Sequence, residues 1–279
     1  MTNTVRDVNQ NFWSSKFIPY LTIRTTHNST QSYKAHSHSE LSVGIIELGT
    51  TLLSMLDKQL TLKRGDIIVI EPNVVHACNP DGGQPRSYHM LYIDNDWCCS
   101  VLSKLYGYEV KKYSCDLNLL CGLESYIKLS ELISKLFNHG VRNNAIEVER
   151  YLLHLVSRYC SPHTEQEDES ELAFKLKRRF LQDITCSPSL EVVSKEFGRP
   201  KETLIRVFKR RYSITPKSFL NNSRIEKAKF LLRHGMSIVN VAVEVGFSDQ
   251  SQFHHTFVNY TASTPRQYQQ ISSIYDNKS

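Results

Sequence analysis

Long hydrophobic runs are missing from this 279-residue chain. No window nears the 18 or so consecutive apolar residues that a membrane span requires. The opening MTNTVRDVNQNFW is polar and holds no apolar segment of a secretory signal. These two absences predict a cytoplasmic protein with no membrane partner. Cysteine pairs are missing as well. The seven cysteines are odd in number, scattered and never spaced Cys-x-x-Cys, while the adjacent Cys98 and Cys99 suit neither a bridge nor a metal site. They read as reduced thiols. Acidic side chains are scarce in one part only. Residues 171–279 carry 18 Lys+Arg against 9 Asp+Glu, a net of +9, whereas residues 1–170 carry 16 against 19, a net of −3. A basic half joined to a mildly acidic half suits a polyanionic partner held at one end.

The length leaves room for two domains, at roughly 100–200 residues each. Five runs between residues 18 and 93 read as strands: IPYLTIRTT, LSVGIIELG, TTLLSML, DIIVIE and SYHMLYID. They are short, rich in β-branched and aromatic residues, and broken by Gly, Pro, Asn and Asp. Such spacing without helical intervals predicts an all-β sandwich or barrel. After Trp97 the period changes. Leu117, Leu120, Leu123, Ile127, Leu132 and Leu136 fall near a helical repeat, as do Ile146, Leu152, Leu153, Leu155 and Val156. Two helices packed on the barrel are expected, with apolar stripes that also suit the pairing of two subunits. The predicted division is 1–97 barrel, 98–160 helical packing or dimerisation segment, 161–170 acidic linker, and 171–279 an all-helical domain. The fold class is α+β.

Within the last block one pattern is written twice, about 48 residues apart. Ser189 matches Ser237, Gly198 matches Gly246, Phe208 matches Phe257, and Thr215-Pro216 matches Thr264-Pro265. Each copy reads as a capped short helix, a glycine break, a second helix and a Thr-Pro stop, the layout of a helix-turn-helix. Pro200 suits a first helical turn. If Leu204, Val207 and Phe208 face inward, then Lys201, Glu202, Ile205, Arg206 and Lys209 fall on the outer side. The second copy presents Gln250, Ser251, His254 and His255 in the same way. Early residues of a recognition helix lie along base edges in the major groove, where Arg pairs with guanine, Gln with adenine and Glu with a cytosine amino group. Residues 216–235 between the copies carry a helical stripe of Phe219, Ile225, Ala228, Leu231 and Leu232. About 19 helical residues make a rod of roughly 28 Å, near the roughly 34 Å between successive major-groove faces. Of the basic surplus, residues 199–233 hold eleven Lys+Arg against Glu202 and Glu226 alone.

The C-terminal 109 residues resemble the AraC/XylS family of bacterial transcription regulators. The run NVAVEVGFSDQSQFHHTFVNYTASTPRQY carries the resemblance, with RVFKRRYSITPKSFL of the first copy. The family usually has Arg where this chain has His255, and often Ser at Pro200. In the N-terminal half, His36-Ser-His38-Ser-Glu40 and, after Gly65-Asp66, the stretch EPNVVHACN with His76 and Asn79 resemble the two motifs of a cupin barrel. The resemblance implies an effector-binding barrel, with Arg24, His36, His38, Glu40, His76 and Tyr88 as pocket residues and Glu47 or Tyr92 as substitutes. It implies double-stranded DNA, a small-molecule effector and RNA polymerase as partners of a homodimeric activator. Three His and a Glu also suit a divalent ion, but Glu40 stands closer to His38 than a metal-binding cupin requires, so no metal, cofactor or catalytic residue is expected. A cupin metalloenzyme on a DNA anchor and a sequence-indifferent DNA organiser remain the alternatives.

Overall fold

The computed structural model describes residues 9–55, 58–116, 119–138, 141–163 and 171–270. Eight strands come first: β1 (Gln10–Ser15), β2 (Ile18–Ser29), β3 (Leu41–Leu48), β4 (Thr51–Met55), β5 (Lys58–Leu62), β6 (Asp66–Ile70), β7 (His76–Pro80) and β8 (Arg86–Ile93). With β10 (Leu119–Cys121), they build an antiparallel sheet in the order β1-β2-β8-β3-β6-β10 and a smaller one, β5-β4-β7, while β9 (Tyr113–Cys115) stands outside both. The two sheets share one apolar interior. Leu53, Met55, Leu62 and Cys78 of the small sheet pack there with Ile46, Ile68, Ile70, Tyr88 and Met90 of the large one.

Strand alternation sorts the large sheet's side chains onto two faces. In β3, Leu41, Val43 and Ile45 point to the helical layer, while Ile46 points to the barrel interior. In β8, Leu91 and Ile93 take the helical side, and Tyr88 and Met90 the interior. Three helices cover the outer face: α1 (Asn95–Tyr106), α2 (Leu123–Asn138) and α3 (Val141–Tyr159). Leu102, Leu129, Ile133, Leu136, Leu152, Leu155 and Val156 form their contribution to that core.

The helical segment differs from its prediction at the start. Leu117 lies outside the described residues, and Leu120 belongs to β10, where it pairs with Ile67 of β6. The edge of β6 offers ladder hydrogen bonds to Leu119–Cys121, and these outweigh a helical period carried by only two leucines. The first residues of the expected 161–170 linker are in a strand. Ser161 and Pro162 belong to β11 (Cys160–Pro162), which pairs with β9; residues 164–170 lie outside the described residues.

The C-terminal half is helical throughout: α4 (Leu172–Leu181), α5 (Leu190–Glu196), α6 (Lys201–Tyr212), α7 (Pro216–Arg233), α8 (Ile238–Glu244), α9 (Gln250–Thr261) and α10 (Pro265–Gln269). The repeat is visible in the caps. Ser189 and Ser237 accept from the backbone N–H groups of Val192 and Asn240, and Thr215 and Thr264 cap α7 and α10 in the same way. Pro200 sits one position earlier than expected, at the N-cap of α6. Each unit has its own core. Leu176, Phe180, Val193, Leu204 and Phe208 form the first; Val241, Ala242, Phe253, Phe257 and Tyr260 pack with Ile225, Ala228 and Leu232 of α7 in the second. Helix α7 runs unbroken for 18 residues, about 27 Å at 1.5 Å per residue.

Candidate effector pocket and nucleic-acid interface

Five of the six expected pocket residues converge inside the barrel. Arg24 from β2, Tyr88 from β8, and His36, His38 and His76 line one cavity with Tyr33, Thr51, Cys78 and Arg86. An isolated bridge pairs His36 with His76, each backbone N–H donating to the other's carbonyl. The Nδ1 of His36 lies 2.7 Å from the Lys34 carbonyl and that of His76 lies 2.9 Å from the Val74 carbonyl. A carbonyl only accepts, so each Nδ1 carries the proton and each Nε2 keeps a free lone pair. Burial drives all three imidazoles toward the neutral form, with His76 pushed down to about 4. Neighbouring positive charge, Arg24 included, acts in the same direction.

Glu40 is the exception. The chain bends at Ser39 and Glu40 instead of continuing as a strand, so the two-residue alternation linking it to His38 does not apply. Glu40 lines a separate cleft of about 390 Å³ between the barrel and the helical half, with Glu226, Lys229 and Arg233. Burial raises its pKa, but Lys229 and Arg233 more than offset this and hold the carboxyl below its ordinary value. Neither proposed substitute lines the barrel cavity. Glu47 accepts from Tyr126 at 2.6 Å and Ser130 at 3.1 Å, tying β3 to α2. Tyr92 packs edge-on against His38 and lines a small cavity shared with the helical half.

Arg86 and Tyr33 were not legible as pocket residues. Arg86 is 1% exposed, donates to Thr51 Oγ1 at 2.9 Å and the Cys78 carbonyl at 2.7 Å, and stacks over Tyr88. Tyr33 and Tyr88 hydrogen-bond through their hydroxyls, with Arg24 over both rings. Arg86 opens a strand and follows Pro85, so local sequence gives it the look of a turn residue. As closed here, the cavity measures about 20 Å³, room for one water-sized guest.

The barrel and the helical half are joined by directed bonds. Arg24 donates from Nη1 to the Thr261 carbonyl at 2.8 Å, at the last residue of α9. Gln10 Nε2 donates to the Ala262 carbonyl at 2.7 Å, and Lys34 N to the Asn259 carbonyl at 2.9 Å. Asn222 of α7 clasps the backbone of Ser37, accepting from its N–H at 3.2 Å and donating to its carbonyl at 3.1 Å. Phe12 of β1 enters the second helical core and meets Tyr268 edge-on. The residue between His36 and His38 is thus bonded to the helix that connects the two helix-turn-helix units.

On those units, Glu202, Arg206, Lys209, Gln250, Ser251, His254 and His255 are exposed, and Ile205 is half-buried. Lys201 is half-buried and paired with Glu191 at 2.7 Å, which ties α6 to α5. Several other basic residues of 199–233 are similarly engaged. Arg211 pairs with Glu171, Lys227 with Glu244 and Lys229 with Glu226. Arg224 donates to the carbonyls of Ile184 and Thr185, and Arg233 to Tyr268. Arg199, Arg206, Lys209, Arg210 and Lys217 are left exposed, with no carboxylate partner among the described residues.

Known proteins share both halves. Residues 18–167 match the AraC-like ligand binding domain and residues 193–271 a helix-turn-helix domain. The chain is 26% identical over 231 residues to the HTH-type transcriptional regulator YbfI of Bacillus subtilis, covering 79% of this chain and 81% of that one. It is 35% identical over 81 residues to the HTH-type transcriptional activator RhaS of Escherichia coli, covering 29% of each. The crystal structure of an apo ToxT variant from Vibrio cholerae has the same fold, with a TM-score of 0.57 and 15% identity over 90% of this chain and 97% of that one. Among the described residues no helix is long and apolar enough to cross a membrane. An AraC-like ligand-binding barrel followed by two helix-turn-helix units makes this chain a member of the AraC family of transcription regulators.

Proposed function

We propose that this regulator is an effector-responsive activator whose two recognition helices, α6 and α9, enter successive major grooves of one duplex. Support comes from α7. It packs against both units and runs about 27 Å without a break, and groove faces recur at about 34 Å. Glu202, Ile205 and Arg206 would read bases at the first site, with Lys209 on the backbone and Lys201 steadying α6. Gln250, Ser251, His254 and His255 would read the second.

The effector would sit among Arg24, His36, His38, His76 and Tyr88. The observation that carries this reading is the position of Arg24, whose guanidinium lines the barrel cavity and also holds the end of α9. Organic ligands ordinarily need about 300–1,000 Å³, far more than the closed cavity offers. Binding would therefore push the wall outward. Movement of Arg24 or of the 36–38 segment would release Thr261 and Asn222, shifting the balance between docked and undocked helical units. The exposed stripes on α2 and α3 would pair two subunits, and the activating step would be contact with RNA polymerase in the cytoplasm.

The test is footprinting of the full chain on DNA around its own gene, followed by competition with random duplex. Expected are two protected patches about one helical turn apart on one face, and a specific-to-random affinity ratio of at least about 10³. A single patch per chain would overturn the two-groove reading. Equal affinity for random DNA would overturn sequence-specific regulation.

A further inference from the structure

We infer that Cys115 and Cys160 form a two-thiol site that a small hydroperoxide oxidises to an intrachain disulfide. The two residues stand directly opposite each other on the paired strands β9 and β11, and their Sγ atoms lie 3.5 Å apart. The Asp116 N–H donates to the Tyr159 carbonyl and the His163 N–H to the Lys112 carbonyl, which fixes the alternation of the ladder. By that alternation Cys115 and Cys160 are a pair with no backbone hydrogen bonds between them. The Cys115 amide accordingly donates elsewhere, to Glu71 Oε1 at 2.7 Å. Residues opposed at such a position have Cα atoms about 4.5 Å apart and side chains on one face. A disulfide accepts Cα separations of about 4.4–6.8 Å and needs its sulfurs about 2.05 Å apart. Closing the remaining gap of about 1.5 Å asks for side-chain rotation and no shift of the strands.

Both thiols belong to the core between the large sheet and its helices, with Cys115 9% and Cys160 3% exposed. Such burial favours a small oxidant, hydrogen peroxide, over a bulky one such as a peptide disulfide. Cys115, the more accessible thiol, gives up its proton, and its sulfur attacks one peroxide oxygen. The O–O bond breaks, leaving a sulfenic acid and a hydroxide that takes the proton and departs as water. The Cys160 sulfur then attacks the sulfenic sulfur, the S–O bond breaks, and a second water leaves with the Cys160 proton. Two thiols lose two electrons in all, and one peroxide becomes two waters. Because the second thiol is already in place, the sulfenic acid is captured before it can oxidise further. The hydrogen bond shared with Cys160, and then burial, hold the Cys115 thiol above its ordinary pKa. Thiolate is therefore scarce and the first step is slow, so the site records sustained exposure to peroxide rather than a brief pulse.

The placement of the pair gives the bond its effect. The loop it would close, from Cys115 to Cys160, contains β10, α2 and α3, and with them the exposed Leu123, Ile127, Ile146 and Leu153. Cys160 opens the strand by which the chain leaves α3, while Cys115 is bonded to Glu71, just past β6 of the barrel. The disulfide would thus staple the base of the α2–α3 layer to the barrel. Cross-linking a loop of this length removes entropy from the unfolded chain, and Tm should rise by roughly 5–15 °C. The site stands independently of the regulatory reading, because it rests on the β9–β11 ladder alone.

The experiment treats reduced, folded full-length Cys186→Ser with hydrogen peroxide, since Cys186 is exposed and would otherwise link two molecules. Catalase then removes the peroxide, and the remaining thiols are alkylated under denaturation. Expected are a mass lower by two hydrogens before alkylation, two fewer alkylated thiols, a peptide joining Cys115 to Cys160, and the higher Tm. Dithiothreitol should reverse all four. Cys115→Ser and Cys160→Ser in the same background should show none of them. Oxygen gained without loss of hydrogen, or a disulfide between any other two cysteines, overturns the site. A Cys115–Cys160 bond with unchanged Tm keeps the site and overturns the staple. Should the serine variants fail to fold, the linked peptide from the folded parent decides: its presence supports the assignment and its absence refutes it.

Discussion

Arg24 and Thr261 meet across the two halves of the molecule: the arginine's Nη1 donates to the carbonyl of the last α9 residue at 2.8 Å, from a side chain that is 6% exposed. A helix C-terminus leaves carbonyls without intrahelical partners and carries partial negative charge, so a guanidinium there satisfies both needs. Burial alone would lower the pKa of Arg24, but the facing tyrosines Tyr33, Tyr88 and Tyr92 more than offset that and keep it charged. Replacing Arg24 with Met retains bulk and removes the bond. The buried Thr261 carbonyl then keeps only the long bond from Ser263 Oγ at 3.4 Å, and a buried acceptor stripped in this way costs about 1–3 kcal/mol. Amide hydrogen exchange over residues 258–263 should rise roughly 5- to 150-fold in Arg24→Met, the same energy expressed as a rate. Unchanged protection there would show that the bond does not hold the halves together.

Gly246 ends α8 at φ +82, and a Cβ added there would lie 2.4 Å from the Thr185 carbonyl oxygen and 2.7 Å from its Cα. Both neighbours are backbone, and Thr185 is held in place by Arg224 and by its own hydroxyl bond to the Glu244 carbonyl. Gly246→Ala therefore suffers left-handed strain and a clash that no side chain can relieve. A loss of about 2–4 kcal/mol is expected, seen as a clear fall in Tm. Gly198 has a similar φ of +60 but nothing near its Cβ position, so Gly198→Ala should cost only about 1–2 kcal/mol. Equal costs would show that the contact with Thr185 is unimportant.

The repeat was legible because its signals are local. Ser189, Ser237, Thr215 and Thr264 cap the helices that follow them, and a cap depends on residues within one turn. The five strands read from the sequence are present, since β-branched alternation is equally local. Of the first eight strands, β1, β5 and β7 were missed: their QNFWSS, KQLTL and HACNP are polar or short and owe their pairing to neighbouring strands. The site was half legible. Histidines at 36, 38 and 76 can be read from motif spacing, but the bend at Glu40, the inward turn of Arg86 and the reach of Arg24 to α9 are set by packing. Basic charge was overread for the same reason. Lys201, Arg211, Arg224, Lys227, Lys229 and Arg233 count as free cations in a sequence, yet each is bonded within the fold.

Leu123 and Ile127 are exposed one turn apart on α2, and Ile146 and Leu153 two turns apart on α3. Four large aliphatic side chains facing water on adjacent helices match the stripe expected of a subunit contact. If a second copy covers them, Ile127→Lys/Ile146→Lys buries two unpaired charges in the interface. Sedimentation should then show monomers at concentrations where the wild type is dimeric, with Tm little changed because both positions are exposed in the monomer. A variant that sediments as the wild type places the subunit contact elsewhere.

Arg206 and His255 test how the two grooves share affinity. Both are exposed on their recognition helices, but Arg206 presents a five-donor fork and His255 a single ring. A good bidentate base contact carries about 1–3 kcal/mol. Arg206→Ala should therefore weaken operator binding by roughly 5- to 150-fold, while His255→Ala should change it by a few-fold. Fluorescence anisotropy on one operator at fixed salt measures both. Equal losses would mean that the two units contribute alike to operator affinity.

Salt dependence tests the number of free cations that the fold leaves. If Arg199, Arg206, Lys209, Arg210 and Lys217 carry the phosphate contacts of residues 199–233, five charges displace counterions, not the eleven in that stretch. Each neutralised phosphate contributes about −0.9 to the slope of log affinity against log salt. A slope of about −4 to −5 per chain is expected on random duplex, where base contacts do not intervene. Lys217→Ala should make that slope shallower by about one, whereas Lys227→Ala, which breaks the pair with Glu244, should leave it nearly unchanged. A slope near −10 would mean that the internal ion pairs open on DNA and that their lysines and arginines turn to the phosphates.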